Sequence, residues 1–369
     1  MLEVADVFSR YGDEYLRKFG NKMLLIQRRA FEDILKCRTE VMGGHIFRCD
    51  KCGYLHYSYH SCRNRSCPKC HKNDTAAWLE QRREELLNVE YYHVVFTLPQ
   101  VLRPILRFHQ KKLYGILMKS AAQAVIKLAA DPHYVGGLIG VLCILHTWSS
   151  SLIYHPHAHC LIPSGGISAD KEQWLAARNN YLVPVKALSK IFRGIFVEMA
   201  HKQLPNVKLP DSIWQKDWVV YCKPTVQGTD KVLNYLGRYV HRVAITNSRI
   251  ISIEDGKVTF RYKDSKSHQS KTMTLKAHEF IRRFLQHVLP KGVHKIRYYG
   301  LWSPVNRKDL YKIKELLNDG GAAKHLEPQQ NDISDSDKSL APAGQKCPHC
   351  NVGTLVWVAR ISNHWRAPP

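Results

Sequence analysis

Three observations predict an α+β fold. Over residues 2–36 the apolar residues recur at spacings of three and four, which is the pattern of helices that bury one face. A block dense in cysteine and histidine follows at 37–74 and indicates a small metal-binding module. Beyond it, short runs rich in β-branched and aromatic residues alternate with helical stretches. The chain of 369 residues is long enough for two domains.

The elements after the cysteine block follow from their local patterns. A charged helix is predicted over 75–89, a buried strand over 91–99 and further helix over 100–130. Two strands come next, LIGVLCILHTW at 138–148 and HAHCLIP at 157–163, and a polar turn of serines joins them.

The second half continues this alternation. Helix is predicted over 171–204, and DWVVYCKP at 217–224 reads as a strand. The segment 229–244 has helical spacing and begins with residues that favour helix N-termini. Residues 251–264 form two β-rich runs around Asp-Gly, which predicts a hairpin, and 277–290 reads as a helix.

Composition divides the chain into four segments. The first carries the N-terminal helices and the cysteine block, which resembles a zinc ribbon, and the second carries the predicted sheet and its helices. A polar stretch rich in Gly, Ser and Pro reads as a disordered linker, and a small cysteine-containing tail follows it. The predicted bounds are 1–74, 75–318, 319–345 and 346–369.

The charge of the chain predicts a nucleic-acid partner. Lys and Arg number 55 against 31 Asp and Glu, which gives a formal net charge of +24. Phosphates paired with Lys or Arg release condensed counterions, so DNA or RNA is the usual partner of such a surface. General solubility and attraction to an anionic membrane are the alternatives, but the basic residues are spread along the chain.

The N-terminus and the cysteine content favour the cytoplasm. MLEVADVFSR carries acidic residues where a signal peptide would be basic, and no apolar run reaches the ~18 residues that span a bilayer. In that compartment the 11 cysteines stay reduced, so clustered ones are better read as metal ligands than as disulfides.

Two CxxC pairs predict a structural zinc site. Cys49-x-x-Cys52 and Cys67-x-x-Cys70 are close to the spacing at which two knuckles supply four thiolates to one Zn²⁺. A redox role would need a βαβ context that is absent from the pattern. Cys62 is a fifth candidate ligand, and the neighbouring histidines at 60 and 71 are further alternatives.

Basic residues surround this predicted zinc site. Arg63, Arg65 and Lys69 lie between or beside the cysteines, which suggests a basic module that binds DNA. The tail pair Cys347 and Cys350 is only half a zinc site, to which His349 or His364 could contribute.

Three alternating histidines indicate a second metal centre. On a strand, alternate residues share a face and lie ~6.8 Å apart, so His155 and His159 are too distant for one ion. Pro156 suits the edge of a strand, which selects His157-Ala158-His159 as the ligand pair. Ordinary polar histidines on a sheet face are the alternative. Two imidazoles suit a divalent cation with positions left for a substrate.

The helix predicted over 229–244 carries two tyrosines one turn apart. Tyr235 and Tyr239 share one side of it, and Arg238 and Arg242 form a second pair alongside. Two aromatic core residues are the simpler interpretation. Phenols beside arginines also make a phosphate site, and a phenol that attacks a metal-polarised phosphodiester would form a phosphotyrosine.

These motifs together resemble one family. His157-Ala158-His159 followed by Tyr235-x-x-x-Tyr239 resembles the HUH-type, two-tyrosine rolling-circle transposases of bacterial insertion sequences, the insertion-sequence ninety-one group, related to the ISCR elements. Supporting phrases between about residues 20 and 307 are SCRNRSCPKC, YYHVVFTLP, LHTW, YLGRYVHRVAI and IRYYGLW.

The resemblance implies an N-terminal zinc-binding domain before a transposase domain, whose core is an antiparallel sheet flanked by helices. It implies nicking of single-stranded or hairpin DNA at the element's ends, 5′-phosphotyrosine intermediates, and Mg²⁺ or Mn²⁺ at the histidines. His157 and His159 would then be metal ligands, and Tyr235 and Tyr239 nucleophiles.

The resemblance does not settle every ligand. His146, from the neighbouring strand, and His241, beside the second tyrosine, are alternatives for the third ligand of the catalytic metal. Ser66 stands where many relatives are expected to carry a histidine, but the cysteines are numerous enough to bind zinc without it.

Two other functions fit part of the pattern. A plasmid or phage rolling-circle replication initiator would use the same chemistry on different DNA. A non-catalytic zinc-containing DNA-binding regulator would need neither the histidine pair nor the tyrosine pair.

Overall fold

The computed structural model describes residues 1–70, 78–178, 182–225, 231–232, 237, 243–264, 267–318 and 344–365. Within them the helices are α1 (Val4–Phe19), α2 (Leu25–Lys36), α3 (Arg103–Phe108), α4 (Gln110–Ala129), α5 (Val185–Gln203), α6 (Ala277–Leu285) and α7 (Leu310–Asn318). The strands are β1 (Gly44–Cys49), β2 (Leu55–Tyr59), β3 (Tyr91–Thr97), β4 (Leu138–Trp148), β5 (Tyr154–Pro163), β6 (Gly165–Ile167), β7 (Trp174–Ala176), β8 (Val220–Pro224), β9 (Ile250–Glu254), β10 (Lys257–Lys263), β11 (Ser270–Lys276), β12 (Ile296–Gly300) and β13 (Leu355–Ile361).

A seven-stranded sheet forms the centre of the fold, and the predicted α+β class is confirmed. Its strands lie in the order β7-β6-β4-β5-β3-β8, and β12 also pairs with β4. Every pairing is antiparallel. The apolar run that predicted β4 lies in the middle of this sheet and is buried almost throughout, because both of its faces are covered.

The two faces of β5 are chemically different. Ala158, Cys160 and Ile162 point toward α4 and α5 and belong to the largest apolar core. The alternating residues point to the opposite face, where His157 and His159 are half-buried. The period of two in the sequence therefore separates a packed face from a face that carries imidazoles.

The N-terminal helices pack on a later part of the chain. The ring of Phe8 stacks on Phe31 of α2 with centroids 4.4 Å apart and meets Phe284 of α6 edge-on at 5.5 Å. α1 can approach α2 this closely because Gly12 faces the Phe31 ring, where a Cβ would come within 2.5 Å. The first helices thus share a core with α6 and the hairpin β9–β10.

The hairpin prediction is confirmed. β9 and β10 pair around Asp255 and Gly256, whose φ angles are 47° and 69°. Both residues lie in the left-handed region, as the tight turns that join twisted strands require.

The C-terminal tail is part of an N-terminal sheet. β13 pairs with β1, and β1 pairs with β2, to form a three-stranded antiparallel sheet. The tail predicted as a separate segment therefore lies against the cysteine block. Residues 319–343 of the predicted linker lie outside the described residues.

Three boundaries differ from the sequence prediction. Residues 171–204 are helical only from Val185, because β7 pairs with the glycine-rich β6. β5 begins at Tyr154 and not at His157. Its pairing with β3 ends at His157, so that pairing requires no hydrogen bond from Pro156, which has no N–H. Of the charged helix predicted over 75–89, the described part is helical over 78–83.

Candidate functional site

Three histidines meet on one face of the central sheet. His146 on β4 lies directly opposite His157 on β5, and His159 follows two residues later on the same face. One ring nitrogen from each lies within 4.8 Å of the others. The ring centroid of His146 lies 5.5 Å from that of His157 and 4.5 Å from that of His159. Three imidazoles at this spacing can bind a single cation.

The sequence predicted two of these three histidines and left the third open. His146 is the alternative that the structure brings to the pair, because antiparallel neighbours directly opposite each other project from the same face. His241, the other alternative, lies outside the described residues.

A fourth histidine, on β3, contacts the cluster from the side of β5 opposite to β4. The Nε2 atom of His93 on β3 lies 2.8 Å from Nδ1 of His159. Burial lowers the pKa of His93 to about 4, so its ring is neutral near pH 7. The sequence analysis missed His93, although a lone polar residue in the apolar run YYHVVFTLP was a usable signal.

The hydrogen bond of His157 fixes the orientation of its ring. Its Nδ1 lies 2.6 Å from the backbone carbonyl of His155, so Nδ1 carries the proton. The Nε2 atom of His157 then carries the lone pair that a metal ligand needs.

His155 has a different partner and stands outside the cluster. The guanidinium of Arg103 donates to its Nδ1 at 2.8 Å. Burial and the Arg103 charge both lower the pKa of His155. His155 is thus not among the three histidines whose ring nitrogens meet.

The histidine face opens into a cavity of about 600 Å³. Trp148 stacks on His146 at one side, with ring centroids 4.8 Å apart. Arg103, the serine turn 149–151 and Tyr262 also line the cavity. A cation on the three imidazoles would thus face a space large enough for part of a polymeric substrate.

Five residues predicted to act with the histidines lie outside the described residues: Tyr235, Arg238, Tyr239, His241 and Arg242. The chain on both sides of them is described. Before them, Val232 is fully buried in an apolar cluster with Ile144 and Leu161, which flank His159 on its own face. After them, Ala244 lines a cavity with Trp148, the residue that stacks on His146. The described residues Val232 and Ala244 therefore lie on the histidine side of the sheet.

Eight of the 11 cysteines form two separate clusters of four. The first joins Cys37 to the SCRNRSCPKC segment and is entirely buried; its members are Cys37, Cys62, Cys67 and Cys70. Its Sγ atoms lie 3.6 Å apart across Cys37–Cys70 and across Cys62–Cys70. A tetrahedral Zn²⁺ with bonds of about 2.3 Å separates its sulfurs by about 3.8 Å, so this cluster fits zinc.

The predicted grouping of the zinc ligands needs correction. Cys49 and Cys52 do not join Cys67 and Cys70, but lie with Cys347 and Cys350 of the tail in the second cluster. Cys62 is a member of the first cluster and not a spare, and Cys37 completes it. The alternatives His349 and His364 are not members of the second cluster, which already has four thiols. The ring of His349 stacks on Tyr54 instead, with centroids 5.2 Å apart.

Arg65 and Lys69, which were predicted to bind DNA, both contact other residues of the chain. Arg65 donates to the backbone carbonyls of Leu289 and Val293 at 2.6 Å, and Lys69 forms an ion pair of 2.6 Å with Glu3. Arg63 is exposed. Arg65 thus connects the cysteine segment to the residues that follow α6.

Comparisons with known proteins identify the family. A family model described as "Transposase zinc-binding domain" matches residues 7–98, and one described as "Putative transposase" matches residues 140–309. The protein "Putative transposase y4qJ" of Sinorhizobium fredii (strain NBRC 101917 / NGR234) is 40% identical over 96% of this chain and 94% of its own length. The chain belongs to the transposases of the IS91 group. The "Transposase for insertion sequence element IS801" of Pseudomonas savastanoi pv. phaseolicola is 27% identical over 79% of this chain and 74% of its own.

The matches agree with the layout of the sites in this transposase. The zinc-binding match contains the whole first cysteine cluster, which supports structural zinc, and the second match contains the histidine cluster. A transposase cleaves DNA, so DNA is its partner, and the family favours this function over the replication initiator and the regulator.

A solved structure of a bacterial tRNA(His) guanylyltransferase (Thg1)-like protein in complex with ATP covers 59% of this chain and 97% of its own at 9% identity, and its TM-score of 0.23 is too low to bear on the fold. Among the described residues, no helix is both long and apolar enough to cross a membrane.

Proposed function

We propose that this transposase nicks and rejoins single-stranded DNA at the ends of its element by rolling-circle-type transposition, through 5′-phosphotyrosine intermediates. The observation that carries the proposal is the histidine cluster on an open sheet face, with the flanks of the tyrosine segment on the same side. We expect the protein to act on DNA in the bacterial cytoplasm.

The histidines suit a divalent cation. His146, His157 and His159 would hold it, and three protein ligands leave positions open toward the cavity. His93 is neutral and can accept the Nδ1 proton of His159, which leaves the lone pair on Nε2 of His159. Imidazole donors suit Mn²⁺ better than Mg²⁺, which prefers oxygen ligands.

A bound dication would supply Lewis-acid polarisation of the scissile phosphodiester. The residues of the chain would do the rest. In the nicking step the phenol oxygen of Tyr235 or Tyr239 attacks phosphorus while the bond to the 3′-oxygen breaks. The phenol loses one proton and the leaving 3′-oxygen takes one up. The strand then carries a free 3′-OH, and its 5′-phosphate stays on the tyrosine.

The second tyrosine permits a second transfer at the same centre. It would cut the other end or the target, and the free 3′-OH would attack the first phosphotyrosine to reseal the strand without ATP. Arg238 and Arg242, one helical turn apart in the sequence pattern, are proposed to bind the non-bridging phosphate oxygens. Arg103, at the wall of the cavity, is a further cation in reach of a bound strand.

The cysteine-rich region would act as a scaffold and a DNA contact. Four thiols close a tetrahedral site, so zinc on Cys37, Cys62, Cys67 and Cys70 would be structural. The exposed Arg63 between these cysteines is proposed to contact phosphate.

The test is covalent capture of DNA. Single-stranded oligonucleotides that carry the element ends are incubated with protein and Mn²⁺, with or without chelator, and separated on a denaturing gel. The wild type should give a protein–DNA adduct only with the cation. Tyr235→Phe combined with Tyr239→Phe should give none while DNA binding persists, and Tyr311→Phe, at an exposed tyrosine of α7, serves as the matched control. An adduct formed by the double variant would overturn the assignment.

A further inference from the structure

The second cysteine cluster joins the two ends of the chain. Cys49 and Cys52 flank the turn after β1, and Cys347 and Cys350 flank a similar turn before β13. The family matches at 7–98 and 140–309 leave the tail uncovered. This cluster shares no residue with the histidine cluster.

The sulfur atoms have the spacing of a tetrahedral zinc site. The Sγ atoms of Cys49 and Cys350 are 3.7 Å apart, and so are those of Cys52 and Cys347. Zn–S bonds of about 2.3 Å predict about 3.8 Å for each such edge. A disulfide would need about 2.05 Å between sulfurs, and all four cysteines are free thiols.

Backbone N–H groups point at the sulfurs in both turns. The N–H groups of Lys51 and Cys52 lie 3.4 Å from Cys49 Sγ. In the tail the N–H of His349 lies 3.4 Å from Cys347 Sγ, and that of Gly353 lies 3.3 Å from Cys350 Sγ. Such donors stabilise thiolates, the form in which cysteine binds a metal. The two turns therefore have matching local geometry, although they are almost 300 positions apart.

The turns also fit each other closely. Asp50 accepts the N–H of Thr354 at 2.8 Å through its carboxylate, and its own N–H donates to the Thr354 carbonyl at 3.1 Å. A Cβ on Gly353 would overlap Cys49 Sγ and the Asp50 carboxylate, so only glycine allows this approach. Specific hydrogen bonds and close packing thus hold the tail against the turn after β1.

Apolar burial contributes little to this contact. The buried cluster of described residues at the joint has only two large apolar side chains, Phe47 and Leu355, besides cysteines. The outer residues of β13, including Trp357, are exposed. A module with so small a core usually needs a metal or a disulfide to stay folded.

We propose that Cys49, Cys52, Cys347 and Cys350 bind a second structural zinc ion, which fastens the C-terminal tail to the N-terminal cysteine block. The ion closes a loop that contains the whole catalytic sheet, and β13 completes the three-stranded sheet only when the tail is held there. Cys52 is exposed and Cys350 is half-buried, whereas the first cluster is fully buried. The second ion should therefore exchange with a chelator faster than the first.

The first test counts zinc in the full-length protein, purified with a thiol reductant, by elemental analysis. All proteins compared carry His157→Ala combined with His159→Ala, so that the imidazole cluster holds no zinc. The expected content is two ions per chain for this background and one when Cys347→Ser and Cys350→Ser are added. Gly353→Ala should also lower the content toward one. Cys222→Ser, at a half-buried cysteine of β8 outside both clusters, should keep two. One ion in the histidine-substituted background, or two after the double tail substitution, would overturn the proposal.

The second test asks whether zinc holds the tail. A specific protease site is inserted after Ser336 of the full chain, the protein is cut there, and the pieces are separated by gel filtration under reducing conditions. The tail should co-elute with the body in the presence of zinc and separate from it after chelation. Co-elution that survives both chelation and the double tail substitution would show that strand pairing alone holds the tail, against the proposal. Either result is independent of whether Tyr235 and Tyr239 are nucleophiles.

Discussion

The buried cysteine cluster and the histidine cluster use the same kind of chemistry in opposite settings. Four thiols from Cys37, Cys62, Cys67 and Cys70 surround a closed, buried centre with no ligand position to spare. Three imidazoles line a cavity of about 600 Å³, so a cation bound there keeps positions for a substrate. The number of ligands and their burial distinguish a site that stabilises a fold from one that can act on DNA.

The largest effect should come from the closed cluster. Cys67→Ser removes a thiolate from a fully buried site, and structural zinc provides about 10 kcal/mol or more of folding free energy in small zinc domains. The variant should lose one zinc ion and leave the N-terminal region open to limited proteolysis. The same proteolysis pattern as the wild type, with the zinc content unchanged, would contradict a structural role.

Loss of two histidines should remove catalysis and spare the fold. His157→Ala combined with His159→Ala should slow nicking of a single-stranded end by about 10³-fold, which corresponds to ~4 kcal/mol of activation free energy. The melting temperature should change by only a few degrees, because both side chains are half-buried at a cavity wall. Nicking at the wild-type rate would show that the open cluster is not the catalytic centre.

His93 should affect the affinity for the cation more than the maximal rate. The variant His93→Gln loses the ring that faces Nδ1 of His159, and loss of such a supporting contact weakens metal binding by about 10–100-fold. The Mn²⁺ concentration for half-maximal nicking should rise accordingly, and saturating Mn²⁺ should restore the rate. His133→Gln, at a well-exposed histidine paired with Asp131, is the control. A rate defect that excess Mn²⁺ does not rescue would argue against a positioning role.

The smallest effects are expected from substitutions at two neighbouring arginines, Arg65 and Arg63, which should affect different properties. Arg65→Gln loses the hydrogen bonds to the carbonyls of Leu289 and Val293 and should cost about 1–2 kcal/mol of unfolding free energy, with DNA affinity unchanged. Arg63→Gln should weaken DNA binding and lower the salt slope by about one. Unchanged DNA affinity and salt slope in both variants would remove the DNA-contact hypothesis for this segment.

Local periodicity was sufficient for much of the sheet and for part of the site. Runs of apolar, β-branched and aromatic residues predicted β3, β4 and β5, and the alternation of side chains in β5 placed His157 and His159 on one face. The Asp-Gly signal gave the hairpin of β9 and β10. These inferences needed only the few residues around each position, because side-chain direction in a strand repeats every second residue.

Long-range pairing was beyond the sequence pattern. Nothing local distinguishes a Cys49–Cys52 pair that joins Cys67 and Cys70 from one that joins Cys347 and Cys350, since both partners are CxxC pairs. The contact of His93 with His159 became visible only when β3 was found beside β5, which follows it in the chain after two helices and β4. The short strand β7 was read as helix because its pairing with the glycines of β6 leaves no periodic signal.

The central claim is that a tyrosine of the segment 233–242 is joined to DNA at the histidine face. The most direct measurement is to digest the covalent adduct with trypsin and identify the DNA-linked peptide by mass spectrometry. Cleavage after Lys231, Arg238 and Arg242 puts Tyr235 in 232–238 and Tyr239 in 239–242, so the two can be told apart. The account predicts DNA on one or both of these peptides. DNA on any other peptide would contradict it.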